Sequence, residues 1–504
     1  MSEEFLLGID IGTQGAKAIV INQNGEIRAS GSHPYDFSVP KTGWAEQHPH
    51  QWWDGVKNAL KQISQRGIEL ENIKGIGISG QMHSLVLLDE NKKELGSSIL
   101  WNDVRTHIEC KEITDQIGET KLLNITQNAV LPGFTAPKLL WIKKHEPERY
   151  SRIKHMMQPK DYIVFKLSGE LSTDVSDASG TSLFDVKNRC WSNEIIEALK
   201  IPHDWLPQVH ESQTIVGQVS IQAAAETGLP FGIPITAGAG DNAAAALGNG
   251  IYKEGKGIIS IGTSGTVFAP LKQVPERTGE GKMKTLHLFC HCLPGTWHAM
   301  GVTLSAGMSL KWFKETFSIN SYDELLSGVE MVPSGSEGLV FLPYLNGERT
   351  PHNNSTAQGV FFGMGYQHTR AHFTRALLEG VSFSLKDCLE LIEKMNIRID
   401  DWYVTGGASK SGIWRSILAD VLQKPLRAFE EREGPAFGAA LLAGLGTGVW
   451  KSPDEFPSCF DQGIRSEYNA RNSKIYKDTH EIYSELYNRL VPLYSKTSNR
   501  EKMI

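Results

Sequence analysis

One short pattern occurs twice in this chain, half a chain length apart, and it limits the choice of folds more than any other feature. Residues 9–15 read IDIGTQG and residues 259–265 read ISIGTSG, an offset of 250 in a chain of 504 residues. Each copy is typical of a buried strand, a glycine-containing turn and a second strand. A chain of this length is also too long for a single hydrophobic core. The sequence therefore predicts two large domains that each begin with the same hairpin.

The turn of each hairpin has the composition expected of a phosphate-binding loop. Its glycine lets the backbone adopt positive φ and approach a ligand closely, and the threonine that follows adds a hydroxyl and exposed N–H groups. The residues concerned are Gly12, Thr13, Gly262 and Thr263. A single Gly-Thr turn is usually only a hairpin, but two copies half a chain apart favour a site that holds a polyphosphate from both sides.

The two copies differ at one informative position, where Asp10 of the first corresponds to Ser260 of the second. One carboxylate is enough to hold Mg²⁺ through water, because this ion keeps several water ligands and takes few from the protein. We therefore expect Asp10 to lie on the Mg²⁺ side of the phosphate site.

The rest of each half alternates between strand-like and helix-like segments, which indicates α/β layers. In the first half, residues 52–65 have helical spacing and residues 73–79 read as a strand. In the second half, the pattern predicts a long amphipathic helix at 372–395, a strand at 402–405 and a helix from about Ser411.

Residues 467–491 are predicted to form a packed terminal helix with one apolar face. That face would consist of Ile475, Thr479, Ile482, Leu486 and Leu490. We expect the helix to stop at Pro492, since proline disrupts a helix interior, and the basic tail beyond it to be solvated.

Asp241 is the best candidate for a catalytic base. It follows a predicted strand and a glycine-rich turn (PITAGAG, residues 234–240) and precedes an alanine-rich helix. Phosphoryl transfer needs a base at the acceptor hydroxyl in addition to a phosphate grip and a metal site. Asp is also a favoured N-cap residue of helices, so the local sequence alone does not distinguish a base from a cap. The glycines and the second phosphate hairpin just downstream favour the catalytic interpretation.

Several other polar segments invite a functional interpretation. Residues 79–84 (SGQMHS) follow a buried strand at the end where open α/β sheets bind ligands, although a lone histidine such as His83 is more often structural. Residues 101–105 (WNDVR) carry groups suited to hydrogen-bonding hydroxyls. Residues 346–354 (NGERTPHNN) are equally polar, and their simplest interpretation is a solvated connection. Residues 290–292 (CHC) fit no usual zinc pattern and are interpreted as structural.

Composition argues against several classes of protein. The net charge is -6, from 51 basic and 57 acidic residues without a basic stripe, which argues against nucleic-acid binding. No window approaches the roughly 20 apolar residues of a membrane span, and the first residues, MSEE, lack the basic start of a secretion signal. The cysteines are too sparse and scattered for a disulfide framework. They are Cys110, Cys190, Cys290, Cys292, Cys388 and Cys459. We therefore expect a cytoplasmic protein of enzyme size.

Two longer segments resemble the signature patterns of the FGGY family of carbohydrate kinases. One is GFTAPKLLWIKKH (residues 133–145), and the other begins with GVFFGM (359–364) and ends with HFTRALLE (372–379). The likeness extends from about Phe5 to about Trp450. It implies an α/β fold of two ribonuclease H-like domains, from the superfamily that includes actin, hexokinase and heat-shock ATPases, flanking a catalytic cleft.

The resemblance also implies a division of the chain between the two domains. Residues 1–247 would form the N-terminal domain, with the sugar site and the first phosphate hairpin. Residues 248–504 would form the C-terminal domain, with the second phosphate hairpin, the adenosine site and the terminal helix.

Roles for individual residues follow from the same resemblance. Asp241 would accept the proton of the attacking hydroxyl, and Asp10 would be the Mg²⁺-side carboxylate. The sugar would be bound by Met82, His83, Asp103, Asp241 and Asn242. ATP would be bound by Thr13, Gln14, Lys17, Gly262, Thr263, Gly406, Gly407 and Ala408. The expected cofactors are therefore ATP and Mg²⁺.

Within the family the chain resembles the subgroup that converts D-xylulose to D-xylulose 5-phosphate. The matching segments are residues 80–83, 100–103, 240–242 and 347–353. Related glycerol kinases carry an Arg-Glu pair where this chain has Met82 and His83, which argues against glycerol. Ribulose, gluconate and other family substrates remain alternatives.

A non-enzymatic ATP switch of the same superfamily is a weaker alternative. A chaperone of that kind would need a separate β-rich domain, and the residues beyond Trp450 look helical. The expected partners are a small-molecule sugar and ATP, without nucleic acid or membrane, and the family admits a homodimer.

Overall fold

The computed structural model of the chain describes residues 3–277, 281–429, 434–457 and 463–501, so that Cys459 lies outside the described residues. The strands of this part of the chain are β1 (Phe5–Ile11), β2 (Gly15–Asn22), β3 (Ile27–Pro34), β4 (Glu46–Gln47), β5 (Ile73–Gly80), β6 (Val86–Leu88), β7 (Ser98–Ile99), β8 (His155–Met157), β9 (Ser172–Asp174), β10 (Phe184–Asp185), β11 (Cys190–Trp191), β12 (Gln208–His210), β13 (Ile215–Gln218), β14 (Pro234–Thr236), β15 (Ala239–Gly240), β16 (Gly255–Ile261), β17 (Gly265–Leu271), β18 (His287–Cys290), β19 (Trp297–Thr303), β20 (Val340–Leu342), β21 (Val360–Phe362), β22 (Ile399–Thr405), β23 (Leu426–Ala428) and β24 (Ile464–Ser466).

The helices alternate with these strands in both halves, and short 3₁₀ turns connect several of them. In chain order they are α1 (Pro49–Ser64), α2 (His107–Ile117), α3 (Glu119–Thr126), α4 (Thr135–His145), α5 (Pro147–Ser151), α6 (Pro159–Ser168), α7 (Val175–Ala178), α8 (Asn193–Leu199), α9 (Ile221–Thr227), α10 (Asp241–Gly248), α11 (Gly307–Thr316), α12 (Tyr322–Leu326), α13 (Arg370–Glu393), α14 (Gly412–Leu422), α15 (Gly434–Gly446) and α16 (Ala470–Glu501).

The first half is built on a mixed sheet with the strand order β13-β14-β5-β1-β2-β3, in which β15 also pairs with β5. β1 is antiparallel to β2 and parallel to β5. β14 and β15 run parallel to β5 as well, whereas β13 is antiparallel to β14. The carboxyl ends of β1, β5 and β15 therefore lie side by side at one edge of the sheet.

The second half repeats this sheet. Its order is β18-β19-β17-β16-β22-β23-β24, and β16 is antiparallel to β17 and parallel to β22. β23 runs parallel to β22, and β24 antiparallel to β23. Strands β16, β17, β19, β22, β23 and β24 thus correspond to β1, β2, β3, β5, β14 and β13. Both hairpins have their turn at the predicted offset of 250 residues, so the predicted duplication and the α/β class are confirmed.

One helix of the second half packs on the sheet of the first. Helix α15 contacts β1 and β5 and lies along α10. The strands allow this approach because they carry glycines: a Cβ on Gly8 would lie 1.9 Å from the carbonyl oxygen of Ala436, and a Cβ on Gly77 would lie 1.8 Å from that of Ala439. The two halves therefore share a hydrophobic core around α10 and α15.

Most helices and strands predicted from periodicity are present. The segments at 52–65, 73–79, 372–395 and 402–405 correspond to α1, β5, α13 and β22, and α14 begins one residue after Ser411, its N-cap. Among the described helices none combines the length and apolar character that a bilayer crossing requires.

The predicted terminal helix is wrong in two respects. It does not stop at Pro492 but continues to Glu501, with the proline inside it. Its buried face is as predicted at Thr479 and Leu486 but not at Ile475 and Ile482, which are 44% and 47% exposed. The residues described as buried in this helix are Ser473, Tyr476, Thr479, Tyr483, Leu486, Tyr487 and Tyr494. Tyr476, Tyr483 and Tyr487 can be buried because their hydroxyls have hydrogen-bonding partners, as where Tyr483 and Tyr344 meet at 2.6 Å.

Candidate active site

Three neighbouring strand ends form the floor of the candidate site in the first half. Asp10 near the end of β1 pairs in register with Ser79 on β5, which pairs with Ala239 on β15. The Ser79 hydroxyl donates a hydrogen bond to Asp10 Oδ1 at 2.7 Å. Asp241 follows the last residue of β15 and begins α10. The sheet therefore brings the predicted metal-side carboxylate and the predicted base to the same edge.

Both carboxyl groups are harder to ionise than usual. Burial raises the pKa of Asp10 to about 6, although the hydrogen bond from Ser79 and the charge of Lys17 act in the opposite direction. Burial also raises the pKa of Asp241 to about 7, and the charge of Asp10 adds to this effect. A carboxylate with a raised pKa is a stronger base, which suits proton transfer near neutral pH.

Asp241 is not the N-cap of α10, contrary to the alternative that the local sequence left open. The N-cap residue of α10 is Gly240, and Asp241 is the first helical residue. The side chain of Asn242 donates a hydrogen bond to Asp241 Oδ1 at 3.0 Å, so the two predicted sugar-binding residues are in contact. The carboxylate therefore lies at the positive end of the helix dipole without capping it.

A buried chain of polar contacts supports the turn before Asp241. Lys160 forms an ion pair with Asp174 at 3.0 Å, and the hydroxyl of Ser176 donates to Asp174 Oδ2 at 2.5 Å. Ser176 Oγ in turn accepts the backbone N–H of Gly240 at 3.0 Å. Because buried polar networks of this kind rigidify their surroundings, Ser176 fixes the backbone from which Asp241 projects.

The Met82–His83 turn lies against the start of α10. Asn242 Nδ2 is 3.9 Å from the Met82 sulfur, and a Cβ on Gly240 would meet the Met82 side chain at 2.8 Å. His83 has φ of 69°, stacks on Phe134 with ring centroids 4.5 Å apart, and contacts the carbonyl oxygen of Gly180 through Nδ1 at 2.8 Å. Burial lowers the pKa of His83 to about 3, so its imidazole is neutral at physiological pH.

Lys138 stabilises the Met82–His83 turn through hydrogen bonds to backbone carbonyl oxygens. Its ammonium donates to the carbonyl oxygens of His83 at 2.9 Å and Gly133 at 2.6 Å, and the side chain is fully buried. Burial lowers its pKa to about 7, with the charge of Asp103 opposing the shift. The Thr135 hydroxyl also donates a hydrogen bond to the carbonyl oxygen of His83 at 3.1 Å. The first signature segment thus acts as a support for the predicted sugar-binding turn.

Asp103 is placed differently from the other predicted sugar ligands. Its carboxylate accepts hydrogen bonds from the Arg105 guanidinium at 2.6–3.0 Å and from the backbone N–H of Ala45 at 2.7 Å. It is fully buried. Because its oxygens are already engaged by Arg105, a sugar hydroxyl would have to compete with that ion pair. Its role as a direct sugar ligand stays a prediction.

The first phosphate hairpin is anchored to the neighbouring loops. The Trp101 indole N–H donates to Thr13 Oγ1 at 2.9 Å, and the Thr13 hydroxyl lies 3.3 Å from Gln81 Oε1. Gln14 is exposed at the turn. Lys17 is the register partner of Asp10 across the β1–β2 pair. The predicted ATP-binding residues of this hairpin are thus close to Asp10, the predicted metal-binding carboxylate.

The second hairpin borders a separate cavity of about 510 Å³. The backbone N–H groups of Ala306 and Met308 donate to the carbonyl oxygen of Thr263 at 3.0 and 3.1 Å, and that of Gly307 donates to Gly262 at 2.7 Å. The cavity is lined by Gly262, Thr263 and Gly407 of the predicted ATP site together with Ile261, Gly307, Met308, Leu310, Lys311, Tyr322, Asp323, Leu326, Lys410, Ser411 and Trp414. An apolar wall beside an open glycine turn suits an adenosine group with phosphates attached.

Gly406 has to be a glycine. Its φ is 87°, and a Cβ would lie 2.5 Å from the carbonyl oxygen of Ile261. This contact lets the end of β22 approach the end of β16, as Gly80 and Ile11 approach each other in the first half. Gly407 and the backbone of Ala408 belong to the 3₁₀ turn Gly407–Lys410 that follows.

The Cys-His-Cys segment lies between the halves. β18 ends at Cys290, and the thiols of Cys290 and Cys292 approach the carbonyl oxygens of Val186 and Ala243 at 3.3 and 3.4 Å. No group of three or more His, Cys, Asp or Glu side chains that could hold a metal ion is found in the described ranges. The contact with Ala243 ties this segment to α10.

The interpretation of residues 346–354 as a solvated connection is wrong. Glu348 is 2% exposed and Thr350 is fully buried. The Glu348 carboxylate accepts hydrogen bonds from Thr303 Oγ1 at 2.6 Å and from the backbone N–H of Leu304 at 2.9 Å. A polar composition did not reveal this burial, because the polar groups are paired with the end of β19.

Sequence reasoning missed several residues that support the site. They are Ser79, Lys138, Gln158, Ser176 and Glu348. Ser79, Lys138 and Glu348 lie in segments that the sequence singled out, so a role was detectable although its nature was not. Gln158, whose Oε1 accepts the His83 N–H at 2.6 Å, lies in no such segment.

Known proteins match both halves of the chain. The profile of the FGGY family of carbohydrate kinases, N-terminal domain, matches residues 5–248, and that of the C-terminal domain matches residues 257–447. The chain is 41% identical over 490 residues to a xylulose kinase of Bacillus subtilis, covering 96% of this chain and 97% of that protein.

Solved structures of carbohydrate kinases are also similar to this chain over nearly its whole length. A xyloylose kinase from Brucella ovis is 35% identical with a TM-score of 0.90, covering 97% of this chain and 100% of that one. A gluconate kinase from Lactobacillus acidophilus is 26% identical with a TM-score of 0.92, covering 98% and 100%. Both profiles, the sequence relative and the two-domain fold lead to one conclusion: the chain belongs to the FGGY family of carbohydrate kinases.

Proposed function

We propose that this protein transfers the γ-phosphoryl group of ATP to the 5-hydroxyl of D-xylulose, giving ADP and D-xylulose 5-phosphate. The observation that carries the proposal is the 41% identity to the xylulose kinase of Bacillus subtilis over nearly the full length of both chains. The polar turn at Met82 and His83, beside the two carboxylates, supports a polyhydroxylated acceptor.

In this proposal Asp241 accepts the proton of the attacking hydroxyl. Its pKa of about 7 leaves a useful fraction ionised at neutral pH while making the carboxylate a stronger base. Asn242 and the Met82–His83 turn hold the sugar so that the hydroxyl reaches the base. The hairpin turns at Thr13 and Thr263 bind the phosphates, and Gly407 borders the adenosine.

The residues present fit a magnesium ion at the edge of the first sheet. Asp10 supplies a hard oxygen ligand there, and it lies close enough to Asp241 for its charge to raise the pKa of that carboxyl group. Asp10 is the residue we assign to the ion, with water completing its coordination. When bound, Mg²⁺ would neutralise negative charge on the transferring phosphoryl group.

We assign residues 1–247 and 248–504 to the two functional domains, with α15 as an element of the second that packs on the first. Closure of the two halves over the substrates would exclude water and so limit wasteful hydrolysis of ATP.

A second candidate is gluconate phosphorylation, favoured by the structural match to the gluconate kinase. Xylulose is preferred because the sequence relative that acts on it is more similar to this chain.

A substrate panel tests the proposal. Purified protein is supplied with MgATP and D-xylulose, D-ribulose, L-ribulose, gluconate or glycerol, and ADP release is followed by a coupled assay. We expect the highest kcat/KM for D-xylulose. A higher value for any other acceptor would overturn the assignment of the sugar, and no turnover of any acceptor would overturn the assignment of the reaction.

A further inference from the structure

The segment 346–354 is anchored to the second sheet on both sides of one residue, Arg349. The Glu348 carboxylate accepts hydrogen bonds from Thr303 and Leu304 at the end of β19. Thr350 exchanges hydrogen bonds with the backbone of Val302 at 2.9 and 3.1 Å. Both neighbours of Arg349 are therefore fixed, which fixes the backbone from which its side chain extends.

Arg349 has no hydrogen-bonding or ion-pair partner for its guanidinium among the described residues. The adjacent Glu348 forms no ion pair with the Arg349 guanidinium among the described residues. From Arg349 its carboxylate accepts the backbone N–H, at 2.8 Å. The side chain is only partly exposed. A partly buried cation without a partner is costly, so its retention on a rigid segment indicates a ligand that supplies the missing acceptors.

The surroundings of Arg349 include the predicted sugar-binding turn. The Thr350 hydroxyl donates to the carbonyl oxygen of Thr285 at 3.1 Å, two residues before His287. The positive charge of Arg349 contributes to lowering the pKa of both His83 and His287, after the larger effect of burial. Arg349 therefore lies within electrostatic reach of a residue from each half.

His287 is a second group with an unused polar atom. It is 4% exposed, and its Nε2 has no hydrogen-bonding partner in the part of the chain that the structure describes, whereas Nδ1 lies 3.2 Å from Asn128 Oδ1. Its ring lies 5.8 Å from that of Phe134, on which His83 stacks. Through Phe134, the aromatic cluster thus connects His287 to the predicted sugar-binding turn.

We propose that Arg349 and His287 form the wall of the sugar site contributed by the second half, binding the ketose oxygens at the end remote from Asp241. This inference rests on the proposed function. A guanidinium only donates hydrogen bonds, so it suits the carbonyl oxygen of a ketose and its neighbouring hydroxyl. The neutral imidazole of His287 can donate to or accept from a hydroxyl. Sugar binding then depends on both halves and favours their closure.

The test is direct binding of D-xylulose to Arg349→Met, which keeps the length of the side chain and removes its donors. Calorimetric titration without nucleotide should show a Kd for the sugar that is about tenfold to hundredfold higher than in the unaltered protein. The affinity for ADP should change less than twofold. Arg398→Met, at an exposed arginine paired with Asp400, is the matched control and should alter neither affinity.

Two results would overturn the inference: an unchanged sugar Kd in Arg349→Met, or equal losses of sugar and ADP affinity, which would indicate a structural role. If Arg349→Met does not fold, His287→Gln decides instead, and an unchanged sugar Kd in that variant would overturn the proposal. Failure of the proposed function is distinguishable, because the unaltered protein would then neither bind nor turn over D-xylulose.

Discussion

Asp241 combines three properties that a general base for a sugar hydroxyl requires: a raised pKa, a fixed backbone and contact with a predicted sugar-binding residue. If it is the base, Asp241→Asn should lower kcat by a factor on the order of 10² or more, because an amide cannot accept the proton. Binding of ADP, measured by calorimetry, should remain nearly unchanged.

The matched control for this substitution is Asp115→Asn, at an exposed aspartate on α2 that is paired with Lys111. It should retain full activity. Near-normal turnover in Asp241→Asn would refute the assignment of the base.

The pKa of Asp241 also predicts how activity depends on pH. The carboxylate must be ionised to accept a proton, so activity is lost as pH falls through about 7. We expect kcat/KM for MgATP to fall about tenfold per pH unit below that value. This ratio is the right measurement because it reports the enzyme before the metal-nucleotide arrives. An acid limb near the ordinary pKa of aspartate, 3.8, would contradict the prediction.

At the residue scale, the sequence was most informative where one residue type has few alternatives. Asp241 was singled out because a carboxylate after a strand and a glycine turn has a restricted set of roles, and Asp10 because the second hairpin has Ser260 in its place. The sheet places both at the same edge, and their roles in catalysis and metal binding stay predictions. The contacts of Lys138 and Ser176 were not predicted, although Lys138 lies in a segment that the sequence singled out. A buried lysine or serine that bonds to backbone carbonyl or N–H groups leaves no sequence pattern that reveals its partners. Such contacts exist only after distant segments have come together.

At the scale of elements, the duplicated hairpin was predictable and the terminal helix was not. Both hairpins follow local rules, since turn glycines and alternating apolar residues act over a few positions. The buried face of α16 was misassigned in part, because isoleucine was weighted above tyrosine. Tyrosine is buried here through partners from other elements, as where the Tyr476 hydroxyl bonds to Glu379 at 2.8 Å. Packing also outweighs the local cost of Pro492, and Tyr494 beyond it is buried.

The face of α16 can be tested by a pair of adjacent substitutions. Tyr483 is fully buried against Tyr344, so Tyr483→Ala should lower the free energy of unfolding by about 3–5 kcal/mol. Ile482→Ala should cost only about 0.5 kcal/mol, because Ile482 is largely exposed. Urea unfolding followed by tryptophan fluorescence reports both, since Trp402 and Trp414 lie in the same core. A larger loss of stability in Ile482→Ala than in Tyr483→Ala would contradict this prediction and support the buried face predicted from periodicity.

At the scale of the whole molecule, the two halves are joined by α10 and α15. A Cβ on Gly438 of α15 would lie 1.9 Å from the carbonyl oxygen of Ala244 on α10, and a Cβ on Gly248 would lie 2.1 Å from that of Gly434. The helices therefore touch backbone to backbone through glycines. A division of the chain at residue 247 could not reveal this contact, because it joins residues that are nearly 200 positions apart.

This contact links the junction of the halves to the catalytic site, because Asp241 is the first residue of α10. Gly438→Ala should push α10 away from α15, displace Asp241 and lower kcat about tenfold or more, since small misplacements of a catalytic group are costly. The overpacking should also lower the free energy of unfolding by about 1–3 kcal/mol. Gly412→Ala is the control, because its added methyl would meet only the end of the Arg415 side chain, at 3.7 Å. Loss of stability with unchanged kcat would mean that the junction holds the halves together without positioning the base.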